Sequence, residues 1–178
     1  SYADLTKEKI GQFYESIVSV RSIVPAEART AASLGVEREG NGVAIDEKHI
    51  LTIGYIVIEA KSIEIGLSDG RWLPAKLIGY DHTSGFGIIK SVVPLKMPHL
   101  QLGNSDNINS EQDLLILPSP NRGAGSIVRS VSRRPFTGWW EYFVENPIYT
   151  TPANGLWAGA PILTENGEIV GIGSLFVS

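Results

Sequence analysis

Apolar and polar residues alternate along most of this chain in short runs, and the alternation breaks at Gly, Pro, Asn or Asp. One stretch alone follows the helical period. Ile10, Phe13, Tyr14 and Ile17 fall at helical spacing there, with Asp4 or Thr6 placed to cap the start. From Ser16 onward the period is two. Ile17–Ile23, Gly42–Ile45, His49–Ile53, Ser62–Leu67, Trp72–Gly79, Phe86–Val92, Gln112–Leu117, Ser126–Ser132, Glu141–Thr150 and Ala160–Ser174 read as strands. Asp69-Gly70 and Asn166-Gly167 each lie between two such runs and predict tight hairpins. Many short strands with frequent turns predict an all-β sandwich or barrel rather than a parallel α/β sheet. Val93–Asn109 carries Pro94, Pro98 and then Gly-Asn-Ser-Asp, is poor in strand signals, and predicts a linker between two halves.

Composition narrows the picture modestly. At 178 residues the chain is long enough to bury a full core, and 43% hydrophobic with 19% charged residues is the balance of a soluble globular domain. A net charge of -4 without a basic stripe argues against nucleic acid; Arg129, Arg133 and Arg134 read as a solvated face. With no cysteine there are no disulfides and no thiolate sites. No apolar run approaches the ~20 residues a membrane helix needs. His49, His82 and His99 lie far apart without ligand spacing, so neither a metal nor a cofactor is expected.

Several segments resemble the HtrA/Do-type serine protease domain, in that family's order. Gly42-Val43-Ala44-Ile45-Asp46 followed by His49-Ile50-Leu51-Thr52 resembles the strands that lead into its catalytic histidine. Leu67-Ser68-Asp69-Gly70-Arg71-Trp72-Leu73-Pro74-Ala75-Lys76 is similar to its LSDGREFPAK, and Ile78-Gly79-Tyr80-Asp81 to the run before its catalytic aspartate. Leu102-Gly103-Asn104-Ser105-Asp106, Gly159-Ala160-Pro161-Ile162-Leu163 and Asn166-Gly167-Glu168-Ile169-Val170-Gly171-Ile172 continue the match, which covers roughly Ser16 to Ser174. The resemblance implies two six-stranded antiparallel β-barrels, the trypsin-like fold, with a short N-terminal helix. The expected divisions are a helix over 1–15, a barrel over 16–93, a linker over 94–111 and a second barrel over 112–178. Val18, Val20, Ile50, Ile65, Leu77, Ile88, Leu115, Ile127 and Ile169 are expected inside. The family is mostly periplasmic, so a periplasmic or exported setting is implied as well.

The same resemblance makes the triad positions legible. Catalysis there needs a serine nucleophile, a histidine base and an aspartate that orients the histidine. Tyr55 falls at the histidine position, Gly85 at the aspartate position and Ala158 at the serine position. A phenol is a poor base at neutral pH, and a methyl group has no lone pair with which to attack a carbonyl. Leu156 and Trp157 stand where the oxyanion loop has Gly-Asn. Asp81-His82 and Ser84 lie close by in sequence, but as one turn rather than a relay.

What remains points to binding. Trp139 and Trp140 are adjacent, so in a strand they face opposite sides and one of them lies near the surface. Leu156, Trp157 and Gly159 border the old nucleophile position, where Trp157 either fills the cleft or floors a peptide site. A non-catalytic peptide- or protein-binding protease homologue is therefore expected. One alternative is a serine-type peptidase with a non-standard or externally completed site, in which Ser126 or Ser174 would be the nucleophile. The other is an assembly module, a trimer formed through Phe13 and Tyr14, residues whose helical spacing equally suits core packing.

Overall fold

The structure is a computed structural model that describes residues 7–82, 84–104, 108, 112–133, 140–145 and 157–173; over 128–133 and 140–145 it describes the backbone. The N-terminal helix α1 (Lys7–Tyr14) carries the predicted apolar face inward. Phe13 is only 6% exposed, and its ring lies where a Cβ on Gly167 would be, 2.5 Å away. The expected caps Asp4 and Thr6 fall outside the described residues.

The period-two runs that follow close into a barrel. Strands β1 (Ile17–Ile23), β2 (Glu37–Ala44), β3 (His49–Ile53), β4 (Ser62–Gly66), β5 (Trp72–Tyr80) and β6 (Phe86–Ser91) are ordered β1-β2-β3-β6-β5-β4, with β4 returning to β1. Every pairing is antiparallel, for example Val20↔Gly40 and Val20↔Ile65. The interior is filled by Val18, Val20, Ile50, Ile65 and Ile89, all but excluded from solvent. Asp69-Gly70 makes the predicted hairpin. Gly70 takes the left-handed φ of 90°, and Arg71 N–H donates to the Asp69 carboxylate at 3.0 Å.

Two expectations for this half are corrected. Two single-turn helices, α2 (Ala31–Leu34) and α3 (Gly54–Val57), interrupt stretches without helical periodicity, because one turn is too short to show a period. Leu77 is exposed rather than interior. The register shifts between Leu77 and Gly79, and the extra residue of that bulge carries Leu77 and Ile78 outward.

The second half is a five-stranded sheet among the described residues, ordered β11-β10-β7-β8-β9, with β7 (Asp113–Ile116), β8 (Ser126–Arg133), β9 (Trp140–Glu145), β10 (Pro161–Leu163) and β11 (Ile169–Ile172). Asn166-Gly167 turns β10 into β11, with Gly167 at φ 81°. The connecting segment is held at three of its described residues. Leu95 N–H donates to Glu47 O, Leu100 N–H to Ala44 O and Gly103 N–H to Ile169 O. Among the described residues the architecture is thus all-β, a closed barrel beside a second sheet, in line with the resemblance noted in the sequence.

Candidate functional site

Position 55 sits on α3, where β3 ends. Gly54 is required at that corner, since a Cβ would lie 1.9 Å from the Tyr80 ring and 3.0 Å from Gly85 O. Its N–H donates to Gly85 O at 2.7 Å. A one-turn helix leaves its last carbonyls without helical partners, and here each finds a donor. Ile58 N–H reaches Gly54 O and Ala60 N–H reaches Val57 O. Arg38 Nη1 donates to Tyr55 O at 2.8 Å and to Ile58 O at 3.2 Å, and Ser22 Oγ donates to Ile56 O. Arg38, on β2 and 3% exposed, also binds Gly35 O through Nε and Thr30 Oγ1 through Nη2. Burial lowers its pKa, opposed by the nearby Glu59 carboxylate and by Tyr55. The Tyr55 side chain is half-buried. Desolvation pushes its phenol up, partly offset by Arg122 and Arg38, so it stays protonated at neutral pH.

Gly85 closes the turn before β6. Its N–H donates to Asp81 O at 2.7 Å, Asp81 N–H donates to Phe86 O, and Ser84 Oγ accepts from Phe86 N–H at 3.1 Å. Gly85 has φ 76°, a region that suits glycine and strains any other L-residue. His82 is exposed and meets Tyr80 edge-on, with ring centroids 4.7 Å apart. Ser84 is thus spent on its own turn.

Ala158 is fully buried in the turn Trp157–Gly159. Its carbonyl accepts two bonds from one residue, Asn41 N–H at 2.8 Å and Asn41 Nδ2 at 2.9 Å. Asn41 Oδ1 accepts from Ser119 N–H at 2.8 Å, and Ser119 Oγ accepts from Ser19 Oγ at 2.9 Å. Thr52 Oγ1 donates to Asn41 O. Asn41 thereby ties the barrel to two segments of the second half. Gly159 has φ 79°, and a Cβ there would lie 2.0 Å from Asn41 O, so no other residue fits without displacing β2.

The three segments meet around β2. Gly85 bonds the residue before Tyr55, while a Cβ on Gly40 would touch both Ile56, at 2.2 Å, and the Ala158 carbonyl, at 2.6 Å. Trp157 is buried at 6% exposure with Leu114, Ile116, Ala160 and Ile162, and its indole N–H reaches Ala124 O at 3.4 Å. The indole is thus packed in the core of the second sheet. Leu156 and Trp139 lie outside the described residues. For Trp140 the description is limited to backbone, paired with Arg133. Phe13 is enclosed in the chain's own core and Tyr14 is half-buried. Arg38 and Asn41 were not singled out by the sequence. The one signal for Asn41 is a polar side chain between two glycines, just before the predicted run Gly42–Ile45.

A family model described as the trypsin-like peptidase domain matches residues 40–172. Among curated proteins, a probable periplasmic serine endoprotease DegP-like from Pseudomonas fulva (strain 12-X) is 32% identical over 160 residues, which is 85% of this chain and 33% of that protein. The periplasmic pH-dependent serine endoprotease DegQ of Escherichia coli (strain K12) is 30% identical over 146 residues, 78% of this chain and 31% of that protein. The chain therefore spans about a third of the length of these relatives. Among solved structures, the HtrA-type protease AlgW with tripeptide superposes with a TM-score of 0.67 at 21% identity, over 97% of this chain and 53% of that one, a likeness of fold.

Proposed function

Because this chain belongs to the trypsin-like peptidase domain family and is an HtrA-type domain, we propose that it binds peptide or protein segments without cleaving them, in a periplasmic or exported setting. The observation that carries this reading is the residue at the nucleophile position. Ala158 offers a buried methyl group, and no atom in it can attack a carbonyl. The neighbours agree with that. Tyr55 at the histidine position is a protonated phenol, and Gly85 at the aspartate position has no side chain with which to orient a base.

Peptide capture needs none of these groups, because an extended segment can add to a strand edge through main-chain hydrogen bonds. The tripeptide that accompanies AlgW in its solved structure supports a peptide as ligand class. The periplasmic names of the relatives support the compartment.

The test combines labelling and binding. A serine-reactive phosphonate should leave the chain unlabelled and a casein substrate intact, while extended peptides bind saturably without turnover. Stoichiometric labelling would sink the proposal. For the peptidase alternative, the full burial of Ser126 in β8 weighs against that serine as a nucleophile, and Ser174 lies outside the described residues.

A further inference from the structure

The outer face of β5 and β6 carries a feature that the barrel itself does not use. Lys76 and Lys90 are direct partners in the antiparallel register, and both side chains are exposed. Directly opposed residues hold their Cβ atoms about 4.5–5.5 Å apart, so the two ammonium groups repel each other. Across the other edge of β6, Lys90 pairs with His49, whose ring is engaged by Asp46 at 2.8 Å. The ion pairs of the described residues lie elsewhere, Arg21 with Glu64, Asp69 with Arg71 and Arg122 with Glu39, and neither lysine takes part in one.

Apolar residues flank the pair on both sides. Two residues beyond Lys76 on its strand, Ile78 is 55% exposed, turned out by the bulge. Two residues beyond Lys90, Val92 is 56% exposed and bonds Pro74 O through its N–H. Because the strands run antiparallel, Ile78 and Val92 fall on opposite sides of the lysines. The face reads apolar, cationic, apolar in steps of about 7 Å, the spacing of alternate residues in an extended chain. Lys90 lies five residues from Gly85, about 16 Å along the strand, so this face is separate from the Ala158 region.

We propose that this face docks an extended acidic protein segment of the pattern apolar–x–Glu/Asp–x–apolar. The carboxylate would sit between Lys76 and Lys90 and cancel their repulsion, while the flanking side chains cover Ile78 and Val92. An anionic bilayer fits less well. Polybasic lipid-binding surfaces carry about four to eight cations, twice or more what this face offers, and the chain as a whole carries -4.

The experiment uses the whole chain and a fluorescein-labelled peptide containing two Leu-Ser-Glu-Ser-Leu repeats, followed by anisotropy. Its controls are the same peptide with Lys for Glu and vesicles containing phosphatidylserine. The Glu peptide should bind saturably, more weakly in salt, and at least tenfold more weakly to K76Q/K90Q and to I78S. K90E should abolish binding yet raise Tm, because it turns a repulsive cross-strand pair into an attractive one, and that gain also shows that the variant is folded. Equal binding of the Glu and Lys peptides, affinity within twofold for K76Q/K90Q, or binding to vesicles in place of the peptide would each overturn the proposal.

Discussion

At the scale of single residues, two charged side chains set how the barrel responds to change. Asp46 caps the β2–β3 turn by accepting from Lys48 and His49 N–H groups, and holds the His49 ring. The Lys48 bond foremost, with the His49 contacts, lowers its carboxyl from the usual 3.8 to about 2. A depressed folded-state pKa means stability that is present above about 3.8 and lost as pH falls toward 2. The D46N variant should therefore lack that part of the acid destabilisation between pH 4 and 2. At pH 7 it should lose at most about 1 kcal/mol, since the group is half exposed and screened. Urea titrations of both proteins across that range measure it. Arg38 is the opposite case, a buried cation whose donors satisfy carbonyls of Gly35, Tyr55 and Ile58. R38L would leave those carbonyls without donors and should cost about 2–4 kcal/mol, with protease nicking concentrated at Gly54–Glu59 as the local signature.

At the scale of elements, the turn at Trp157–Gly159 shows how the second sheet is anchored. Trp157 packs against β7 and β10 through Leu114, Ile116 and Ile162, and Gly173 N–H and O bond Ala160 and Gly159 around it. W157A should open a cavity and cost about 3–5 kcal/mol. Chemical denaturation should show it, and methyl probes on Leu114 and Ile162 should shift. The barrel strands should be little affected, because the indole lies in the second core cluster rather than the first.

For the molecule as a whole, the joint between the halves holds the Ala158 turn in place. Asn41 is fully buried and answers two groups of the second half, Ser119 N–H and the Ala158 carbonyl. Truncation in N41A removes the acceptor of Ser119 N–H, at about 1–3 kcal/mol, leaves the Ala158 carbonyl with the residue-41 backbone N–H alone, and should loosen the contact between the halves. Hydrogen exchange at the amides of residues 41 and 119 should then rise together. The proposed loss of chemistry is likewise a property of the assembled cleft. A158S alone should remain unlabelled by phosphonate, since Tyr55 cannot take the serine proton. Measurable labelling of A158S would show that a base is present after all.

Period-two alternation and two Asp/Asn-Gly turns determined the strands, because those signals are local and each strand buries one face. The assignment of Tyr55, Gly85 and Ala158 to the triad positions comes from motif order in the residues around them, and the proposed loss of chemistry rests on that assignment. Tertiary structure alone decided the rest. The bulge that exposes Leu77, the enclosure of Phe13 by Gly167, and the burial of Trp157 each depend on a partner distant in sequence. The same holds for Arg38 and Asn41. A polar residue in a strand reads as solvent-facing until the fold brings it carbonyls that only its donors can satisfy.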